Sequence, residues 1–260
     1  AEEDEDLANK NHVVLAWLLG KTTNLEESLE AQLLSNILLD NSASPLQQAL
    51  ETTDLGQAPS PLCGMDDSSR EMAFVCGLEG CSLESVSQIE DLIFETLQNV
   101  ADEGVPLSEV EAALHQLELQ QREVGGDGYP YGLQLILTGL TSATHRGDPI
   151  ALLDMDAALT GLHEKIQQPN FIQTLVKKWL LNNNHRVRLV MKPDTQLNKR
   201  IQQAELDRLA KLKAELTGAD KQAIIDRAHA LQARQIQEDD ESILPKVGLD
   251  DIPEHLHYTP

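Results

Sequence analysis

Between Asn11 and Leu50 the hydrophobic rhythm of the chain changes three times. Val13 to Leu19 is an unbroken apolar run closed by Gly20, which predicts a strand. After the polar turn Lys21-Thr22-Thr23-Asn24, the residues Leu29, Leu33, Ile37 and Leu34, Leu38 recur three and four apart, the spacing of one helix face. Thr23 or Asn24 is placed to accept the free amides of the first turn, and Glu26 and Glu27 suit its positive end. Asp40 to Ser44 breaks that helix, and Pro45 opens a short second one at a position where its missing N–H costs nothing. Strand, long helix and short helix form one folding module, around which the rest of the chain is organised.

Residues 53–70 are rich in Gly, Pro, Ser and Asp and read as a loop. Met72, Phe74, Cys76 and Leu78 alternate with smaller or polar neighbours and predict a second strand. Ser82 or Ser85 can cap a helix carried by Ile89, Leu92, Ile93, Leu97 and Val100 and stopped by Gly104. Pro106 and Ser108 start another, through Val110, Leu114, Leu117 and Leu119, before the breaker Gly125–Gly132. Leu133 to Thr144 is apolar enough to predict a buried helix, and Pro149 and Pro169 each open a further one. Val187, Leu189 and Met191 alternate with Arg186, Arg188 and Lys192, a half-exposed third strand stopped by Pro193. Three strands separated by several helices predict an α+β fold with an antiparallel or mixed sheet covered by helices.

From Asp194 the texture changes. Leu197, Ile201, Leu209 and Leu212, then Ile224 and Leu231, form narrow apolar stripes among Lys, Arg, Glu and Gln. They predict a helical hairpin that needs another surface to bury against, with Thr217 and Asp220 forming a capping box between its helices. The expected layout is an acidic lead-in over 1–10, an α+β domain over 11–193, the hairpin over 194–237 and an acidic spacer over 238–260.

Composition sharpens this picture. With 41% hydrophobic but only 3% aromatic residues, the core must be aliphatic. The formal charge of -23 is unevenly spread: residues 1–176 hold 30 acidic and 6 basic side chains, whereas 177–234 hold 13 basic and 6 acidic. So much negative charge repels nucleic acid and anionic membranes, and neither is expected as a partner. Three cysteines, Cys63, Cys76 and Cys81, fit a reducing compartment better than a disulfide framework, so an intracellular setting (bacterial cytoplasm or organelle lumen) is expected. No apolar run approaches the ~20 residues of a membrane span. Ala1 in place of Met, followed by Glu-Glu-Asp-Glu-Asp, reads as the start of an excised piece.

Catalytic chemistry is sparse. His115-Gln116-Leu117-Glu118 has the first half of a His-x-x-Glu-His zinc motif, but Leu119 stands in the place of the second histidine, and the pair reads as polar positions on an amphipathic helix. His255-Leu256-His257 could chelate a metal but reads as a terminal loop, and His145 and His163-Glu164 have no ligand partner at useful spacing. The cysteines lack a C-x-x-C spacing, and Cys76 on an alternating strand reads as a small core residue. Gly125–Gly132 lacks the Lys-Ser/Thr of a phosphate loop, and Tyr129 and Tyr131 around Pro130 could touch a peptide but fit a packed turn. No catalytic, cofactor-binding or metal-ligating residue is assigned.

Several stretches in order, WLLG, LLSNILLDNSASPLQQAL, LHQLELQ, GDGYPYGLQL, GDPIALL, LLNNNHRVRLVMKPD, LTGADKQ and LPKVGLDDIP, resemble the presequence-protease branch of the pitrilysin family of zinc metallopeptidases over nearly the full length. That resemblance implies a processing-peptidase-like α+β domain, the second and non-catalytic one of a four-domain clamshell, followed by the family's helical hairpin. It implies no cofactor in this chain and zinc in the parent enzyme. The implied parent degrades short unstructured peptides, including basic targeting peptides, and the implied partners are its own remaining domains. The expectation from another class is a stand-alone helical adaptor that binds a partner through residues 194–237.

Overall fold

The computed structural model describes residues 7–122 and 130–243, together with Lys246, Gly248 and Asp251. Contacts divide the chain into two units, Ala1–Thr195 and Gln196–Pro260.

In the first unit, Asn11–Lys21 forms strand β1 and Glu71–Cys81 forms β4, and they pair antiparallel along most of their length. Strand β5, Arg186–Met191, lies on the other edge of β1. Two short strands, β2 (Ala58–Pro59) and β3 (Gly64–Asp66), pair with β4, giving the order β2-β4-β1-β5 with every pairing antiparallel. Sequence pattern predicted three strands and a loop over 53–70; β2 and β3 are a correction to that loop. Two or three residues are too short to show a period, and only the neighbouring edge of β4 holds them extended.

One face of the sheet carries Val13, Leu15 and Trp17 from β1 and Met72, Phe74, Cys76 and Leu78 from β4, all buried. Helices α1 (Leu25–Leu39) and α3 (Val86–Glu103) cover that face. Their periodic residues Leu29, Leu33, Leu34, Ile37, Ile89, Ile93 and Leu97 complete the core. Trp17 meets Phe74 and Phe94 at centroid distances of 6.1 and 6.0 Å, so nearly all the remaining packing is aliphatic. Around it stand α2 (Pro45–Thr52), α4 (Leu107–Arg122), α6 (Asp156–Ile166) and α7 (Phe171–Val176), the last continuing through a π-helical turn over Lys177–Leu181. Asn24 caps α1 as predicted, its side chain accepting from Glu27 N, and Pro45 stands in the first turn of α2. At α3 Ser85 holds the N-cap position as expected, but its side chain accepts no first-turn amide; Ser82 Oγ accepts from Ser85 N instead.

Three further expectations change. The stretch after Pro149 is a turn, because Asp148 accepts from Ile150 N and bends the chain before the helix can start; α6 begins only at Asp156. Helix α5 (Tyr131–Thr144) was expected to be buried, yet only Gly139 and Ser142 are; Ile136 is 60% exposed and Leu140 50%. In β5, Val187 and Leu189 pair with Ala16 and Val14 on the sheet face opposite α1 and α3, and they are 58% and 47% exposed. Arg186 and Arg188 therefore point toward α3, where Arg186 lies 4.8 Å from the Phe94 ring and Arg188 pairs with Glu90.

Gly77 is required where it stands. A Cβ there would lie 2.0 Å from the Val13 carbonyl oxygen, so the close approach of β4 to β1 admits no side chain.

The second unit holds α8 (Leu197–Glu215) and α9 (Gly218–Ile236). The predicted capping box is present: Thr217 Oγ1 accepts from Asp220 N, and Asp220 accepts from Thr217 N. No residue of either helix is buried, and Leu197, Ile201, Leu212, Ile224 and Leu231 are all exposed.

Candidate functional site

The half-motif for metal chemistry lies on α4. That helix is set by Val110, Leu114 and Leu117, which are buried and turn His115 outward to solvent. Glu118 follows one residue after the buried face and looks toward α6, which Leu159, Leu162 and Ile166 anchor in the core. Its carboxylate accepts from His163 Nε2 at 3.2 Å and from Arg122 Nε at 2.9 Å, and Arg122 also reaches Asp156 at 2.9 Å. His163, which had no partner at useful spacing in the sequence, thus gains one across 45 residues.

These contacts make Glu118 a member of an ion-pair network. The hydrogen bond from His163 is the largest cause holding its carboxyl below the usual range. Both carboxylate oxygens are engaged, and Leu119 projects 58% exposed where a second histidine ligand would be needed. Among the described residues no group of three or more His, Cys, Asp or Glu side chains is close enough to hold a metal.

The other singled-out residues are scattered. His145 Nε2 lies 3.4 Å from the Ser68 carbonyl, and Tyr131 is a half-exposed residue at the start of α5. Gly125–Gly128, Tyr129, His255 and His257 lie outside the described residues. Cys63, Cys76 and Cys81 are free thiols; Cys76 and Cys81 are buried, Cys76 facing the core as its alternation predicted. Lys165 on α6 bridges Glu26 and Glu30 of α1 at 3.1 and 2.8 Å, more than 130 residues away, so no local spacing could have revealed it. The concavity of about 250 Å³ where α1 ends against α4 is bordered by Asp40, Asn41, Ser44, Glu109 and Gln116. No helix among the described residues is long and apolar enough to cross a membrane.

Residues 1–117 match the family model of the peptidase M16 inactive domain, and residues 191–260 match that of the region associated with subfamily C of the same peptidases. Presequence protease 1 of Arabidopsis thaliana, described as chloroplastic/mitochondrial, is 32% identical over 100% of this chain and 25% of its own length. Mouse mitochondrial presequence protease is 31% identical over 98% of the chain and 24% of its own length. This chain is a presequence protease-like M16 peptidase segment.

The M16 segment spans about a quarter of the length of these relatives. Its fold is that of the inactive peptidase domain of a protein described as a zinc protease from Bordetella parapertussis (TM-score 0.57, 14% identity, 73% of this chain and 94% of that one). A second zinc-protease structure, from Bordetella pertussis, gives a TM-score of 0.54 at 15% identity over 71% of this chain and 95% of that one. The M16 match explains why the half-motif at His115 is not completed: the inactive domain of this family is its non-catalytic one. The described residues offer no ligand set for the zinc of the family.

Proposed function

We propose that residues 11–193 form a non-catalytic wall of the substrate chamber in a zinc metalloendopeptidase that degrades short unstructured peptides, cleaved targeting peptides among them. Residues 194–237 are its connecting hairpin, and 238–260 lead to further domains. Zinc and the catalytic groups belong to the parent enzyme's other domains, the zinc motif to its first. The relatives' presequence protease names support the substrate class, and their chloroplast and mitochondrial labels make an organelle lumen the favoured location.

The observation that carries this reading is the surface left uncovered. Helix α5 exposes Leu133, Ile136, Leu137 and Leu140, and α8 and α9 bury nothing. Apolar surface of this kind suits packing against other domains of a longer polypeptide. The acid excess of residues 1–176 supports attraction of basic peptides through a long-range field.

The test uses the chain itself with a fluorescent, unstructured basic peptide. Binding that weakens severalfold between low and high salt is expected, with no cleavage when zinc is added. Chelator-sensitive cleavage, or binding indifferent to salt, would overturn the reading. The adaptor alternative rests on the bare stripes of α8 and α9; it gains if deleting residues 196–237 abolishes partner capture while peptide binding by the remainder persists.

A further inference from the structure

The register of β3 on β4 pairs Gly64 with Val75 and Met65 with Phe74. That ladder ends at Gly64, whose φ of 127° turns the chain, and Cys63 stands in the turn between it and the β2 ladder of Ala58 with Glu79 and Pro59 with Leu78. Cys63 Sγ accepts from Gly77 N at 3.3 Å and lies 3.5 Å from the Gly77 carbonyl oxygen, so its sulfur already sits against the peptide that follows Cys76. Gly77 N and O also face this edge, since Ser60 N donates to Gly77 O at 2.9 Å. The Cys63 sulfur therefore touches the peptide bond that Cys76 itself forms, which leaves the two side chains the short reach a disulfide spans.

We propose that Cys63 and Cys76 are a redox modification site: a reversible intramolecular disulfide that fastens the β3 segment to the core strand β4. Cys63 is half-buried and packs on the edge of the core, whereas Cys76 is fully buried. An external oxidant therefore meets Cys63 first. The oxidant class is a low-molecular-weight disulfide such as oxidised glutathione. The Cys63 thiolate attacks one glutathione sulfur and forms a mixed disulfide, releasing one glutathione thiolate. Cys76, having given up its proton to solvent, attacks the Cys63 sulfur and releases the second. Two protein thiols are oxidised, one glutathione disulfide is reduced to two thiols, and the protons balance. Cys81 is excluded by distance: five residues along β4 place it about 16 Å from Cys76.

Burial pushes the Cys63 thiol up, with smaller opposing contributions from its backbone contacts, so exchange should be slow at neutral pH and quicken in alkali. The bridge closes the excursion through β3 and the turn before β4, so its effect is to hold this edge of the sheet.

The experiment incubates the folded chain with oxidised glutathione at mildly alkaline pH, traps remaining thiols by alkylation, and maps peptides without reduction. Loss of two of the three thiols, with Cys63 and Cys76 in one linked species and Cys81 alkylated, is expected. In Cys63→Ser no thiol should be lost while the fold persists by circular dichroism. In Cys76→Ser the reaction should halt at Cys63 carrying one glutathione. A wild-type chain that stops at that glutathione adduct, links Cys63 to Cys81 or to another chain, or forms the bridge only in urea, overturns the proposal.

Discussion

Trp17 Nε1 donates to the carbonyl oxygen of Leu180 at 3.0 Å, tying the first strand to the π-helical turn 163 residues later. Both residues are buried, so the carbonyl has no water to fall back on. Trp17→Phe keeps an aromatic ring against Phe74 and Phe94 but removes the donor. A loss of roughly 1–3 kcal/mol is expected. Equilibrium urea unfolding checks it, and an unchanged midpoint would show that the bond contributes nothing net.

Two glycines should respond to alanine with opposite signs. At Gly77 the new methyl collides with the Val13 carbonyl oxygen, so Gly77→Ala should cost about 3 kcal/mol as β4 is forced off β1. At Gly161, within α6, a Cβ meets nothing within 4 Å, and alanine should stabilise by roughly 0.5–1 kcal/mol. Thermal midpoints of the two variants, measured together, check the contrast.

Acid should weaken the fold partly through Glu118. Its carboxyl is held below the usual range, first by the hydrogen bond from His163 and then by the Arg122 charge. Because the folded value is depressed, its contribution is complete above the ordinary carboxylate range and disappears as pH falls through the folded value. Glu118→Gln should flatten this part of the acid limb of stability against pH. Equal slopes in wild type and variant would remove Glu118 from the account.

The alkaline limb should report Lys165. Its ammonium is raised above the ordinary lysine value, chiefly by the hydrogen bond to Glu30, with Glu26 adding to it. A raised folded value means the contribution is complete below the ordinary lysine range and is lost as pH climbs through the folded value. Lys165→Met should already lack it at neutral pH and show a shallower decline in alkali when unfolding is followed across that range.

The capping box offers a local readout. Thr217→Ala removes the acceptor for Asp220 N and should cost α9 about 1 kcal/mol. Hydrogen exchange of the first-turn amides of α9 should quicken roughly fivefold, the factor that energy corresponds to. Unchanged exchange there would mean that the cap is replaced by water.

The long elements were legible in the sequence because their signals are local. Leu29, Leu33 and Ile37 set the face of α1 by spacing alone, and Met72, Phe74, Cys76 and Leu78 set the face of β4. Asn24 and Thr217 capped as read because a cap needs only three residues. Short β2 and β3 were illegible for the converse reason: their extended backbone is imposed by β4 and not by their own composition. The apolar helix α5 was misread as buried because hydrophobicity shows what a helix can cover and is silent on whether anything lies against it.

The sequence by itself determined the strands and helices that carry a period, the aliphatic core, the charge division near residue 177 and the incomplete metal motif at His115–Leu119. Tertiary structure decided which side chains meet. It placed His163 on Glu118, Lys165 between Glu26 and Glu30, Arg186 on Phe94, and Cys63 against the peptide after Cys76. It also left Val187 and Leu189 on the open face of the sheet. Periodicity is a property of neighbours along the chain, whereas these pairings join residues from 14 to more than 130 positions apart. Only the packing of α1, α3, α4 and α6 around the β1–β4 pair fixes them.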